Sequence, residues 1–172
     1  KPAVYTVTVK LIAYNGGGFD HWLLFRYLLG QRFRCISAPS GSKAICVKFL
    51  IYNVKDGDAK GKIYLEMWDP YQFLHTSLAK AATAFAIPFT KDDCNHNATQ
   101  HAYAEGRLEQ YLTDNPVNNY VMRDVELLAA VTIAFREACL IGVGVDPINY
   151  PTMANMGWNM LKRMQGVAKK DN

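Results

Sequence analysis

The sequence has few cysteines and lacks the paired spacing typical of metal-binding or disulfide-rich domains. It contains four, none in a Cys-x-x-Cys pair: Cys35, Cys46, Cys94 and Cys139. This usage favours reduced thiols in an intracellular or virion-associated protein over a secreted, disulfide-stapled domain. One alternative stays open, because Cys94, His96 and His101 in a polar stretch are residue types that bind zinc.

Long apolar runs and a strong excess of one charge are also missing. No apolar run reaches the roughly 18 residues that a membrane-spanning helix needs, so we expect no membrane partner. The opening residues 1–3 do not resemble a signal peptide, which predicts a protein that is not secreted. Nineteen Lys and Arg against fifteen Asp and Glu give a formal charge of +4. This excess permits contact with phosphates without indicating it.

What is present is a chain of 172 residues, half of them apolar, with both strand-like and helix-like segments. Such a chain suits one domain of ordinary size, or one domain and the start of another. Periodicity and turn residues predict strands at 4–13, 33–38, 44–54 and 62–68. They predict helices at 20–30, 76–85 and 117–141, with Gly142 ending the last, and a polar surface loop at 92–100.

The first candidate site residue lies where the first strand hands over to the first helix. The sequence there runs Tyr14-Asn15-Gly16-Gly17-Gly18-Phe19-Asp20, and its glycines permit a tight turn. We expect Asp20 at the helix N-terminus, with its carboxylate at the edge of the sheet and facing a cleft. The alternative is that Asp20 only caps the helix.

Two further candidate site residues lie on the long predicted helix. Tyr120 and Asp124 are four residues apart, so they share a face one turn from each other. That geometry suits a phenol that orients a water beside a metal held by the carboxylate. The alternative is an ordinary half-buried Tyr and a solvated Asp.

These two motifs in this order resemble the second and third motifs of the proofreading 3′–5′ exonuclease domain of family B DNA polymerases. The segment 63–74 with Ser77-Leu78 and Phe85-Ala86-Ile87, and the continuation Asp124-Val125-Glu126-Leu127-Leu128, are similar to the same family. The segment 144–154 resembles the connection to the palm in the protein-primed enzymes of viruses, linear plasmids and Maverick-type elements. The resemblance spans nearly the whole chain.

The resemblance implies an α/β, RNase H-like exonuclease fold with a mixed sheet flanked by helices. It implies an exonuclease-like domain over 1–142 and a connecting segment toward the palm over 143–172. The family's first motif, an Asp-x-Glu, should precede the second, yet none of the thirteen residues before Tyr14 is acidic. We therefore expect the exonuclease-like domain to be incomplete at its N-terminus and its site to lack carboxylates.

The implied function is two-metal hydrolysis of phosphodiesters in single-stranded DNA, with Mg²⁺ or Mn²⁺ as cofactor. The resemblance assigns Asp20 and Asp124 as metal ligands, Tyr120 as the residue that positions water, and Asn15 and Phe19 to the groove for single-stranded DNA. Because the site is incomplete, we expect this chain alone to be inactive. If it did digest DNA, Asp69 or Glu66 would be the candidates to complete the site.

Two alternatives belong to other classes of function. One is a non-catalytic structural or interaction protein derived from a polymerase, such as a virion component, whose partner is the rest of the polymerase or another polypeptide. The other is a nucleic-acid-binding module without chemistry. Its candidate residues are basic: Lys43, Lys48, Lys162, Arg163, Lys169 and Lys170.

Overall fold

The computed structural model describes residues 4–39, 45–56, 59–90, 96–115 and 118–165. The chain forms two compact units. The first comprises Lys1–His75 with Cys139–Asn172, and the second comprises Thr76–Ala138. The expected boundary after residue 142, between an exonuclease-like domain and a segment that leads to a palm domain, stays a prediction.

The first unit is built on a four-stranded mixed sheet. Its strands are β1 (Val4–Ile12), β2 (Arg34–Ser37), β3 (Lys48–Asp56) and β4 (Ala59–Trp68). Their order is β1-β4-β3-β2. The β1 strand runs parallel to β4, whereas the β2–β3 and β3–β4 pairs are antiparallel. The four predicted strands are confirmed with small changes at their ends, and residues 40–44 and 57–58 lie outside the described part.

Helix α1 (Asp20–Gly30) connects β1 to β2, as the apolar spacing and Gly30 predicted. It contributes Leu28 to a buried cluster with Val47, Phe49 and Met67 of the sheet segment. Its Trp22, Leu24 and Phe25 pack against that cluster. Burial of these apolar side chains is the main force that holds α1 on the sheet.

The remainder of the first unit consists of a short segment after β4 and the C-terminal part of the described chain. Helix α2 (Tyr71–Leu74) begins directly after the sheet, and a 3-10 turn at Pro147–Asn149 precedes the last helix. The indole N–H of Trp68 donates to the carbonyl oxygen of Tyr150 at 2.9 Å. This bond ties the end of β4 to the segment before the last helix.

The second unit is helical in its described part. It contains α3 (Leu78–Ala84), α4 (His96–Ala104), α5 (Leu108–Asp114) and most of α6 (Asn118–Val143), and α7 (Met153–Met164) belongs to the first unit. Leu127, Val131 and Phe135 of α6 are buried, and the Phe135 ring lies 6.3 Å from the ring of Phe85.

Two sequence predictions in this region are wrong. The polar stretch predicted as a loop forms a helix from His96. The sequence does not predict this helix because α4 buries only a narrow strip that includes Ala102, so its apolar periodicity is weak. Residues 91–95 lie outside the described part. Helix α6 continues through Gly142 to Val143, and Gly144 adopts the left-handed conformation (φ 67°) that ends it.

The mixed sheet flanked by helices is consistent with the predicted RNase H-like α/β fold. Among the described residues, no helix is both long and apolar enough to cross a bilayer.

Candidate functional site

The Asn15–Phe19 segment connects β1 to α1 by a compact turn. The N–H of Ala13 donates to the carbonyl oxygen of Trp68 at 3.2 Å, which extends the β1–β4 pairing by one residue. Asn15 then takes the left-handed conformation (φ 57°), which asparagine adopts more readily than most residues. A single 3-10 turn at Gly16–Gly18 follows, and the N–H of Phe19 donates to the carbonyl oxygen of Gly16 at 3.1 Å.

The first glycine of the turn is required by packing. A Cβ atom at Gly16 would lie 2.6 Å from the Ala13 Cβ and 2.8 Å from Nε2 of His21, a side chain that is itself buried. Separations below 3 Å between such atoms are not tolerated without movement. The close approach of the turn to α1 therefore depends on the absence of a side chain at position 16.

A buried carboxylate holds this turn from the neighbouring strand end. Asp69, which is 1% exposed, follows β4 directly. Its Oδ1 accepts the N–H of Asn15 at 2.8 Å and the N–H of Tyr71 at 3.0 Å. Its Oδ2 accepts the N–H of Gly17 at 3.2 Å and the side-chain amide of Gln72 at 3.2 Å. One side chain thus joins the turn after β1 to the first turn of α2.

These bonds decide whether Asp69 could complete a metal site. A carboxylate offers about four lone-pair positions, and Asp69 uses all four on N–H donors. Glu66, the other candidate, accepts from Lys10 at 2.5 Å and from Lys48 at 3.1 Å. Partial burial would raise the pKa of Glu66, but the bonds and charges of the two ammonium groups lower it below its ordinary value. Both carboxylates are engaged in structural bonds, so neither fits the role of a metal ligand.

Asp20 lies at the start of α1 with its side chain exposed. The helix-capping alternative is not realised, because the capping position is occupied by Phe19 and Asp20 is the first helical residue. Asp20 instead places a negative charge in the first turn, where it is favoured by the helix dipole. The predicted strand-to-helix position of Asp20 is confirmed.

An apolar cavity lies at the N-terminal end of α1, the helix that begins at Asp20. It measures about 370 Å³ and is lined by Gly18, Phe19, Trp22, Leu23 and Arg26. The Phe19 side chain is 65% exposed, which is unusual for phenylalanine. Sequence reasoning identified Phe19 but missed Trp22 and Arg26; their positions three and seven residues after Phe19 place them on one side of α1.

Tyr120 and Asp124 lie on α6 one turn apart, as predicted, and both are partly buried. Arg123 donates to Glu126 at 3.3 Å, and its guanidinium lies 4.3 Å from the centre of the Phe89 ring. Asp20 belongs to the first unit and Asp124 to the second. The prediction that these two carboxylates face one cleft stays a prediction.

The described residues match a divalent cation in ligand type but not in number. Carboxylate oxygens are the ligands that Mg²⁺ prefers, and both Asp20 and Asp124 supply them. Among the residues that the structure describes, no group of three or more His, Cys, Asp or Glu side chains could hold a metal. For the zinc alternative, His101 pairs with Glu105 at 3.2 Å, while Cys94 and the His96 side chain lie outside the described part.

Of the basic residues proposed for a binding module without chemistry, each one that the structure describes contacts another side chain. Lys48 bonds Glu66, Lys162 lies over the Trp158 ring at 5.2 Å, and Arg163 bonds the Tyr150 hydroxyl at 3.4 Å. The remaining three, Lys43, Lys169 and Lys170, lie outside the described residues.

One known protein family matches almost the whole chain. A family described as DNA polymerase type B, organellar and viral, matches residues 4–171. The chain belongs to this family. No curated protein and no solved structure matches it.

Membership in the organellar and viral type B DNA polymerases confirms the resemblance drawn from the two motifs. It places the chain among proteins of DNA replication, with DNA as the partner of the family. The match includes both the Asn15–Phe19 turn and the Tyr120–Asp124 helix face, so both candidate motifs lie inside the family region.

Proposed function

We propose that this chain is the proofreading-type 3′–5′ exonuclease region of a protein-primed family B DNA polymerase and acts on single-stranded DNA. The observation that carries the proposal is the pairing of an exposed carboxylate, Asp20, with an aromatic-lined cavity at the end of a tightly held turn. A site that cleaves at a strand end needs a place for a base next to the acidic group.

The cavity has the chemistry of a single-strand binding site. Exposed aromatic rings stack on bases without regard to sequence, and the exposed Phe19 lines the cavity together with the partly buried Trp22. Arg26 adds a cation at its rim that can contact a phosphate oxygen. Asn15 lies at the start of the same turn and shapes the groove beside Phe19.

The divalent cation of the proposed site would be Mg²⁺ or Mn²⁺, held in part by Asp20 and Asp124. When bound, such ions supply charge stabilisation and an activated water for phosphodiester hydrolysis. Tyr120 would orient the water from one turn before Asp124. Because the described carboxylates are too few for the site, we propose that further ligands come from a polypeptide segment outside the described residues.

Single-stranded DNA binding tests the proposal directly. We expect the chain to bind a labelled oligonucleotide in a salt-dependent manner, and Phe19→Ala to weaken binding roughly tenfold because a stacking ring is lost. Tyr103→Ala is the matched control, because Tyr103 is a similarly exposed aromatic side chain on α4. Fluorescence anisotropy at two salt concentrations measures both. Equal losses from the two variants would contradict the assignment.

The same preparation tests the metal and the chemistry. We expect Asp20→Asn and Asp124→Asn each to reduce Mn²⁺ binding, measured by water-proton relaxation, while Asp114→Asn on α5 has no effect. We also expect little or no digestion of the oligonucleotide by this chain in Mg²⁺ or Mn²⁺. Robust digestion that Asp124→Ala abolishes would show that another acidic residue completes the site.

A second candidate function is a non-catalytic interaction protein derived from a polymerase. The observation that favours it is the edge strand β1, where Tyr5, Val7 and Val9 are all exposed. A strand edge with apolar side chains pairs readily with another chain. Partner binding that persists in Asp20→Asn, without any DNA binding by the unaltered chain, would favour this function.

A further inference from the structure

Asp69 connects two segments that are distant in the sequence and adjacent at one end of the sheet. The strands β1 and β4 are parallel, so the chain leaves both at the same edge. The Asn15–Phe19 turn departs from one strand and α2 from the other. Asp69 is buried between them, with two N–H donors from each side.

We infer that Asp69 is a positioning residue that holds the Asn15–Phe19 turn and thereby presents Phe19 and Asp20 to nucleic acid. The role of the two presented side chains rests on the proposed function; the anchoring itself does not. Asp69 acts through the turn and has no contact with the reacting atoms.

A carboxylate is the side chain that this position requires. All four partners donate a hydrogen, and a carboxylate accepts at both oxygens. The bonds shown for the N–H groups of Asn15 and Gly17 go to this side chain. The turn contains glycines and a left-handed Asn15, so its own sequence leaves many backbone conformations accessible. The two bonds to Asp69 select one of them.

Replacing one carboxylate oxygen of Asp69 by an amide nitrogen keeps the bonds to the other oxygen and tests those to the replaced one. In Asp69→Asn, the remaining oxygen can keep the N–H groups of Asn15 and Tyr71. The new NH₂ group then faces the Gln72 side chain, which can rotate its amide to accept, and the N–H of Gly17, which cannot. We therefore expect the loss to concentrate at Gly17 and to loosen the part of the turn next to Phe19.

The experiment measures amide hydrogen exchange and DNA binding on the complete chain. In Asp69→Asn, we expect exchange at Gly17 to become roughly tenfold faster or more, the size expected for one lost bond to a charged acceptor. The N–H of Met67, which donates to the carbonyl oxygen of Val47 just before β3 at 2.9 Å, should keep its protection and report that the fold is intact. Affinity for the labelled oligonucleotide should fall roughly tenfold.

Glu66→Gln is the matched control, because it makes the same chemical change three residues earlier on β4 without touching the turn. We expect it to leave the exchange of Gly17 and the affinity for the oligonucleotide unchanged. Unchanged protection of Gly17 in Asp69→Asn would overturn the inference. Faster exchange with unchanged affinity in a chain that does bind DNA would overturn it as well.

A measurement without any substitution covers the case in which Asp69→Asn does not fold. In the unaltered chain, the N–H groups of Asn15 and Gly17 should be protected from exchange to a degree similar to that of Met67. Rapid exchange at both would overturn the inference. If the unaltered chain binds no oligonucleotide, the proposed function fails, while these amide measurements still decide whether Asp69 anchors the turn.

Discussion

Gly16 and Gly18 look alike in the sequence, but their surroundings in the turn differ. A Cβ at Gly16 would meet Ala13 and His21 at 2.6 and 2.8 Å, whereas a Cβ at Gly18 would have its nearest neighbour, Oδ1 of Asn15, at 4.0 Å. The different roles of these two glycines are invisible to composition, because only the approach of α1 to the strand end distinguishes them.

We predict that Gly16→Ala lowers the free energy of unfolding by about 2 kcal/mol, because the added methyl group overpacks a buried contact. Gly18→Ala should change it by less than about 0.5 kcal/mol, the range of ordinary surface substitutions. Urea unfolding of the two variants beside the unaltered chain measures both. Similar unfolding midpoints for the two variants would contradict the packing of the turn.

Tyr14, next to the turn, carries a phenol whose ionisation the fold suppresses. Burial, then the negative charge of Asp69 and the neighbouring Tyr71 phenol, raise the pKa of Tyr14 to about 12 from its ordinary value near 10. The folded state therefore holds this proton more tightly than the unfolded state. The resulting stabilisation is fully present below pH 10 and is lost as the pH rises toward 12.

We therefore predict that the free energy of unfolding decreases with rising pH between about 10 and 12, and that Tyr14→Phe reduces this decrease. Tyr103→Phe, which alters an exposed phenol on α4, should leave it unchanged. Urea unfolding at stepped pH measures the effect, and ultraviolet difference absorbance follows the phenolates. Identical pH dependence in Tyr14→Phe and the unaltered chain would show that the Tyr14 phenol is not suppressed.

At the scale of elements, the sequence predicts α1, α3 and α6 and misses α5 and α7, although α7 has a pronounced apolar face. Helix α1 is predicted with correct ends because apolar residues recur along it and Gly30 ends it. Helices α5 and α7 are missed, although Thr152 caps α7 by accepting the N–H of Asn155 at 3.2 Å. Pro151-Thr152 before α7 is a helix-start signal. No helix is predicted there because the whole of 143–172 is assigned to a connecting segment.

Two glycines near the C-terminal end of the described chain should respond to alanine with opposite signs. Gly157 lies inside α7, and Gly144 ends α6 with φ 67°; a Cβ at either position would have no atom within 4 Å. We predict that Gly157→Ala stabilises the protein by about 0.5–1 kcal/mol through helix propensity.

Gly144→Ala should destabilise it by about 1–2 kcal/mol, because an L-residue with a side chain is strained in the left-handed conformation. Thermal unfolding of the two variants provides the comparison, since both glycines belong to the first compact unit. A gain from both substitutions would show that α6 does not end in a left-handed residue.

At the scale of the whole molecule, the sheet ends at β1 in the described residues. Tyr5, Val7 and Val9 are 63%, 52% and 44% exposed. Val7 and Val9 pair in parallel with Ile63 and Leu65, so they extend the apolar side of β4 toward the edge. The sequence predicts a contact with another polypeptide at residues 4–13 or 44–54, and the edge position of β1 supports the first of these.

We predict that the chain associates at micromolar concentration, or binds a polymerase segment, through β1, with a buried area well above about 1,000 Å². Val7→Lys should weaken the association more than Thr6→Lys, which places the same charge on the opposite side of the strand. Sedimentation velocity measures the association state. A monodisperse monomer without aggregation, and without a partner among the polymerase segments, would count against the prediction.

The sequence by itself determined the strands, helices α1, α3 and α6, and the positions of the two motifs within these elements. It could do so because these properties depend on local periodicity and on residues that begin and end elements, such as Asp20, Gly30 and the glycines of the turn. The ordered motifs also identified the polymerase family, which the match over residues 4–171 confirms.

Only the tertiary structure decided what Asp69 does. In the sequence it was a carboxylate before a proline and a candidate to complete a metal site. In the fold, the parallel pairing of β1 with β4 brings the N–H groups of Asn15 and Gly17 to it across 54 and 52 residues of chain. No local pattern encodes hydrogen bonds at that separation, because they exist only once two strands leave the sheet at the same edge.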